Sequence, residues 1–150
     1  MSRVVVLDTS PIGLITNPQL SDQGTACNHW LQAHLRAGSR IIIPKIADYE
    51  VRRELLRANK VKGLARLDNL ARFLEYLPLT TVAMRQAAEL WAQARQQGQP
   101  TAGDKTGDMI SIAQAMTLAV QNVVIATTNV GHLSRFIAAD VWQSISVINP

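Results

Sequence analysis

The chain has 150 residues, 47% of them hydrophobic and 17% charged, with a formal net charge of +4. That length buries a real core in one domain, 1–150, and the composition excludes a disordered chain. Cys27 is the only cysteine, which rules out a disulfide within the chain and a cysteine zinc site.

No apolar stretch approaches the ~20 residues that cross a bilayer. The start, Met1-Ser2-Arg3 followed by four apolar residues and Asp8, lacks the longer apolar core of a signal peptide. The expectation is a cytoplasmic protein with no membrane partner.

Val4-Val5-Val6-Leu7 opens the chain as an unbroken apolar run without alternation, the pattern of a strand buried on both faces of a parallel sheet. Pro11 to Gly24 reads as a short helical turn followed by loop. Thr25 to Ala37 reads as a helix with Trp30, Leu31 and Leu35 on one side, ended by Gly38. Arg40-Ile41-Ile42-Ile43 is a second buried strand stopped by Pro44, which suits the first turn of a helix from Ile46 to about Ala58.

Leu64, Leu67, Leu70 and Leu74 stripe a third helix. Tyr76 to Thr80 is a short strand that Pro78 confines to a sheet edge. A helix from Val82 to about Gln97 follows, capped by Thr80 or Thr81, and Thr101 to Gly107 is a loop. Asp108 to Val120 is an alanine-rich helix, Val123 to Thr127 a buried strand, Val130 to Phe136 a short helix, and Ser144 to Ile148 a last strand. Strands alternating with helices give an α/β fold, a parallel sheet with helices on both faces.

The acids fall where such a sheet places ligands. Asp8 ends the first strand, and open α/β sheets bind at the carboxyl ends of their strands. Glu50 and Glu54 lie on the helix after the second strand, and Asp104 and Asp108 near the start of the helix before the Val123 strand. Each has an ordinary explanation by itself. Asp8 could cap a turn, Glu50 and Glu54 could pair with Arg53 and Arg57, and Asp104 and Asp108 could sit in a first turn favoured by the helix dipole.

As a set, they share one side of the sheet. Carboxylates converging in a cleft repel one another unless a cation is present. Oxygen ligands with few histidines favour Mg²⁺ or Mn²⁺ over zinc, and such an ion can activate water for attack on a phosphodiester. His29, His34 and His132 show no ligand spacing and read as ordinary polar or partly buried residues.

The chain resembles the PIN-domain proteins, the metal-dependent ribonuclease fold that includes the VapC-type toxins. Val5 to Ser10, Ile43 to Leu55, Asp108 to Ala115, Ile125 to Leu133 and the terminal Val147-Ile148-Asn149-Pro150 carry the likeness, in the family's order and over nearly the whole length. The resemblance implies a three-layer α/β/α fold with a central parallel sheet of four to five strands. It also implies a pocket holding Mg²⁺ or Mn²⁺.

It assigns Asp8, Glu50 and Asp108 as the catalytic and metal-binding acids, with Thr9 or Ser10 as a supporting hydroxyl. The Thr127-Thr128-Asn129 segment follows the Val123 strand. Thr127 and Asn129 are supporting candidates, Asn129 standing where many members carry a fourth acid. That departure leaves open a weaker metal site or the use of Asp104 as the extra carboxylate. The usual partner of such a toxin is a small antitoxin, and a homodimer is implied by resemblance alone.

Seven of the fifteen basic residues lie between Arg52 and Arg72. Such a run is most often a solvated face. Beside an acidic pocket it gains meaning, and Arg52, Arg53 and Arg57, on the helix of Glu50, become candidates to contact an RNA backbone. The alternative function is a catalytically weak PIN-fold module that binds RNA or protein. An aspartyl-phosphate phosphatase of the haloacid dehalogenase type also begins strand-Asp, but needs a second Asp where this chain has Ser10.

Overall fold

The computed structural model describes residues 3–19, 21–97, 106–120 and 122–148. Strands β1 (Val4–Leu7), β2 (Arg40–Pro44), β3 (Glu75–Leu77), β4 (Val123–Ala126) and β5 (Ala139–Asp140) form one sheet in the order β3-β2-β1-β4-β5, with every pairing parallel. The helices are α1 (Thr9–Thr16), α2 (Asp22–Arg36), α3 (Lys45–Arg57), α4 (Val61–Phe73), α5 (Thr81–Gln96), α6 (Thr106–Met116) and α7 (Val130–Leu133). A 3-10 turn, Trp142–Ser144, follows β5.

The strand period of two divides the core into two layers. Val5, Leu7, Ile41 and Ile43 face a cluster with Ile12, Leu31, Ala47 and Leu67 from α1 to α4. Val4, Val6, Ile42 and Ile125 face the other way, against Ala87, Leu90, Met109 and Ala113 from α5 and α6. All four residues of β1 are buried, so its unbroken apolar run was the correct sign of a central strand. Each contributes about 1.5–3 kcal/mol over an exposed position.

Several boundaries differ from the sequence reading. The turn and loop expected over Pro11 to Gly24 overlaps most of an eight-residue helix, because α1 begins directly after Asp8. Ser21 starts α2 by accepting the Gly24 N–H at 3.0 Å, earlier than Thr25. Thr80 caps α5, accepting the Ala83 N–H at 3.1 Å. α6 starts at Thr106 and ends at Met116, short of Val120, where Ala119 turns left-handed at φ 49°.

The last strand is not Ser144 to Ile148. β5 is Ala139–Asp140, beside β4, and the alternating tail takes another role. The Ile145 carbonyl accepts from Trp30 Nε1 at 2.9 Å and lies 3.0 Å from His34 Nε2, so α2 side chains bind the group that a ladder would have used. A carbonyl only accepts, which places the His34 proton on Nε2 and leaves Nδ1 to the Ser39 hydroxyl at 2.9 Å. Among the described residues, no helix is long and apolar enough to cross a membrane.

Gln114 joins the two layers that carry the acids. Pro44 sits at the N-cap of α3 and its side chain cannot cap. The fully buried Gln114 of α6 supplies the missing acceptor: its Oε1 takes the Ile46 N–H at 3.3 Å. Its Nε2 donates to the Leu77 and Pro78 carbonyls, both at 3.0 Å, at the end of β3. Gln114→Leu keeps the size but strands these backbone groups, and should cost about 1–3 kcal/mol. The check is the urea midpoint of unfolding, and an unchanged midpoint would mean that the clamp contributes nothing.

Candidate active site

β1 is where the strand order changes direction: β2 and β3 extend to one side, β4 and β5 to the other. Ligands bind at the carboxyl ends of strands flanking such a point. Leu7 pairs with Ala126, so Asp8 and Thr127 are the next residues on two neighbouring strands. The Thr127 hydroxyl donates to Asp8 Oδ2 at 2.7 Å. Asp8 stands at the N-cap position of α1 but makes no side-chain cap bond, which removes capping as the explanation of that acid.

Glu50 projects from α3 and Asp108 from the first turn of α6. Gly107 shows how close these helices come, since a Cβ there would lie 2.6 Å from Glu50 Oε2. Asn129, after β4, donates through Nδ2 to Asp108 Oδ2 at 2.7 Å, while its own N–H goes to the Thr127 hydroxyl oxygen at 2.9 Å. Thr127 and Asn129 thus form one bracket that orients Asp8 and Asp108.

The electrostatics carry the mark of this convergence. Burial pushes the Asp8 carboxyl above its ordinary value, the Thr127 hydroxyl and Thr9 N–H pull it back in part, and the Asp108 charge raises it further. Burial also raises Glu50, the Asp8 charge adds to this, Arg53 offsets some of it, and Asp108 raises it again. The three sequence-predicted acids therefore share one field.

The donor set is all oxygen, which suits a hard divalent ion with retained waters. The Ser10 hydroxyl, two residues after Asp8, is buried without a hydrogen-bond partner. The residues fit such an ion by chemistry and charge. Among the described residues, no three His, Cys, Asp or Glu side chains form a ready-made metal cage. Asp104, the extra carboxylate candidate, lies outside the described residues.

The basic candidates separate. Arg52 is bound to Asp48 through Nε at 3.3 Å and Nη2 at 3.1 Å, and to Asp68 through Nη1 at 2.8 Å. Asp48 also accepts from the Tyr76 hydroxyl at 2.8 Å, and burial with this bond pushes Tyr76 up to about 12. Arg52 is thus engaged in holding α3 to α4 and β3. Arg57 pairs with Glu54 at 2.8 Å. Arg53 is the one near an acid of the site, 3.9 Å from Glu50 and over the Tyr49 ring at 5.2 Å.

Two participants escaped the sequence reading. His132 is buried, with Nε2 3.9 Å from Asp108 Oδ2. It stands three residues beyond Asn129, and only the turn into α7 brings it there. Gly107 was read as loop, and no local pattern marks a glycine that a distant glutamate will touch.

A PIN domain profile matches residues 5–132. The chain belongs to the PIN domain family. No curated protein matches significantly. Among solved structures, the chain is similar to VapBC2 of Rickettsia felis bound to a DNA fragment from its promoter, with TM-score 0.70 and 18% identity over 93% of this chain and 98% of the other. FitAcB of Neisseria gonorrhoeae gives TM-score 0.68 and 19% identity, covering 94% and 99%. The VapC20 toxin of Mycobacterium tuberculosis, described as cleaving the sarcin-ricin loop, gives 0.62 and 16% over 97% and 99%. At these identities the likeness is one of fold, and the fold is the PIN α/β/α sandwich with its five-stranded parallel sheet.

Two predictions follow from the geometry. Gly107→Ala pushes against the far end of a flexible Glu50 side chain, so stability should hold while Mn²⁺ affinity falls, as titration calorimetry would read. Equal affinity would separate Glu50 from the ion site.

The second concerns pH. Asp8 and Glu50 have folded values above the ordinary 3.8 and 4.5. Their contribution to stability is complete below those values and is lost as pH rises through the raised ones. Without divalent ions, Asp8→Asn should therefore raise Tm at neutral pH and flatten its fall, each kcal/mol relieved giving about 2–4 °C. An unaltered thermal profile between pH 4 and 7 would contradict this reading.

Proposed function

We propose that this PIN-domain protein is a divalent-metal-dependent ribonuclease, the toxin member of a toxin-antitoxin pair. The observation that carries the reading is the coupling of Asp8, Glu50 and Asp108 in one field at the carboxyl ends of β1 and β4. Membership of the PIN domain family supports a nuclease, and the VapBC and FitAcB structures of the same fold support a cognate antitoxin. The neighbour described as a sarcin-ricin loop cleaving toxin supports RNA as substrate. A net charge of +4 suits a polyanion, and the cytosol is where such an enzyme and its RNA would meet.

Asp8, Glu50 and Asp108 would hold Mg²⁺ or Mn²⁺, which when bound lowers the pKa of water and offsets charge on the pentavalent transition state. The chain's residues do the positioning. Thr127 fixes the Asp8 carboxylate by donating to its Oδ2. Asn129 does the same for Asp108, and leaves the site one charge poorer than a fourth acid would. Arg53 moderates the negative field at the Glu50 side, where a phosphate has to approach. Gln114 holds α3 and α6 at the spacing that brings Glu50 and Asp108 together.

The Asn129 bond to Asp108 also favours a second reading, a PIN-fold module that binds RNA with little cleavage. One experiment separates the two. Purified protein is incubated with a mixed single-stranded RNA pool in Mn²⁺, in EDTA, and as Asp8→Asn. The nuclease reading expects cleavage in Mn²⁺ only, reduced at least about 100-fold in Asp8→Asn, as for removal of a principal catalytic group. RNA retention without cleavage, unchanged in Asp8→Asn, would replace it with the binding module.

A further inference from the structure

A groove borders Glu50, and the hollow that adjoins it is basic. Its first part, about 510 Å³, is lined by Ser10, Glu50, Leu55, Arg57 and Lys60 together with Asn17. A second hollow of about 350 Å³ shares Asn17, Pro18, Gln19 and Lys60 and continues to Lys62 and Gly63. Both volumes are within the range that seats small organic groups. They make one path from the site along the seam between the end of α1 and the α3–α4 turn.

The turn is built to place its lysines. α3 ends in a Schellman motif: the Asn59 N–H bonds to the Leu56 carbonyl at 3.1 Å and the Lys60 N–H to the Leu55 carbonyl at 2.8 Å. Asn59 takes the left-handed conformation this needs, φ 54°. Lys60 then stands at the N-cap position of α4, and Lys62 lies in its first turn. Gly63 lets α4 close on α3, since a Cβ there would lie 2.8 Å from a Leu55 methyl.

Cations at a helix N-terminus oppose the helix dipole. Both side chains are exposed, and among the described residues neither lysine forms an ion pair. Arg52 and Arg57, by contrast, already have carboxylate partners, and the Arg57–Glu54 pair leaves the middle of the groove near neutral.

We infer that this groove carries the single strand of RNA away from the acids, with Lys60 and Lys62 holding its phosphates. The inference rests on the ribonuclease reading and names a subsite of it. It moves backbone recognition from Arg52 and Arg57 on α3 to the start of α4. Phosphates bound there contribute affinity without base choice.

The test uses Asp8→Asn as the parent, so that RNA is bound and not cut. A fluorescein-labelled single-stranded RNA pool of mixed sequence is titrated across a KCl series, and Lys60→Ala/Lys62→Ala is compared with Arg95→Ala, a control on the exposed side of α5. Each lost phosphate contact should lower the salt slope by about 0.7, so the double variant should lose about 1.4 and the control nothing. On the active background, the double variant should raise KM and leave kcat unchanged, the sign of lost uniform binding.

A double-variant slope equal to the parent's would overturn the groove while leaving the nuclease intact. So would an equal loss in Arg95→Ala, which would show diffuse charge rather than a path. If the parent binds no RNA and the wild-type protein cuts none, the ribonuclease reading fails and the groove assignment fails with it.

Discussion

Partly desolvated carboxylates held in one another's field are the constraint on which this structure turns. Asp8 is buried at the end of a strand with no exposed residue, and neither its backbone nor its side chain can retreat to water. The sheet forces the position: at the change of strand direction, the residue after β1 has the residue after β4 as its neighbour. The Thr127 hydroxyl offsets part of the cost of burial, and the Asp108 charge adds to it. Burial of such a carboxylate costs stability at neutral pH, which marks it as a candidate for chemistry.

The remaining polar interior serves to keep that site in place. Gln114 replaces the cap that Pro44 cannot give and ties α3 to α6 across the end of the sheet. The Tyr76–Asp48–Arg52–Asp68 chain holds α3 against β3 and α4. Asp48 lies two residues before Glu50 on the same helix, yet it faces a guanidinium and a phenol rather than other acids. Partners decide which carboxylate is structural and which is poised for chemistry.

The same distinction holds for the cations. Arg40 is bidentate to Glu75 across β2 and β3, where the acceptor carboxylate is held below its ordinary value. With Arg52 and Arg57 also paired, Lys60 and Lys62 at the α3–α4 turn are, among the described residues, cations without a carboxylate partner beside the groove. A basic run along the sequence thus divides in the fold, Arg52 and Arg57 bound to carboxylates and Lys60 and Lys62 not.

Much of this was legible in the residues. The apolar runs of β1, β2 and β4 have no polar alternation because both faces are covered, and that fixed a parallel sheet with helices on each side. Pro78 put β3 at an edge, and Asp8 after β1, with Glu50 and Asp108 on helices, was expected on one side of the sheet. The two-residue β5 was not legible, since Ala139-Asp140 has no pattern, while the alternating Ser144 to Ile148 segment resembled a strand and gave its carbonyl to Trp30 and His34.

Local sequence determines periodicity, capping and the order of elements, because these depend on neighbours a few positions apart. Contacts between residues such as Glu50 and Gly107, Asn129 and Asp108, or Gln114 and Ile46 depend on how distant elements pack. Only the tertiary structure decided which acids share a field and which arginines are already spoken for.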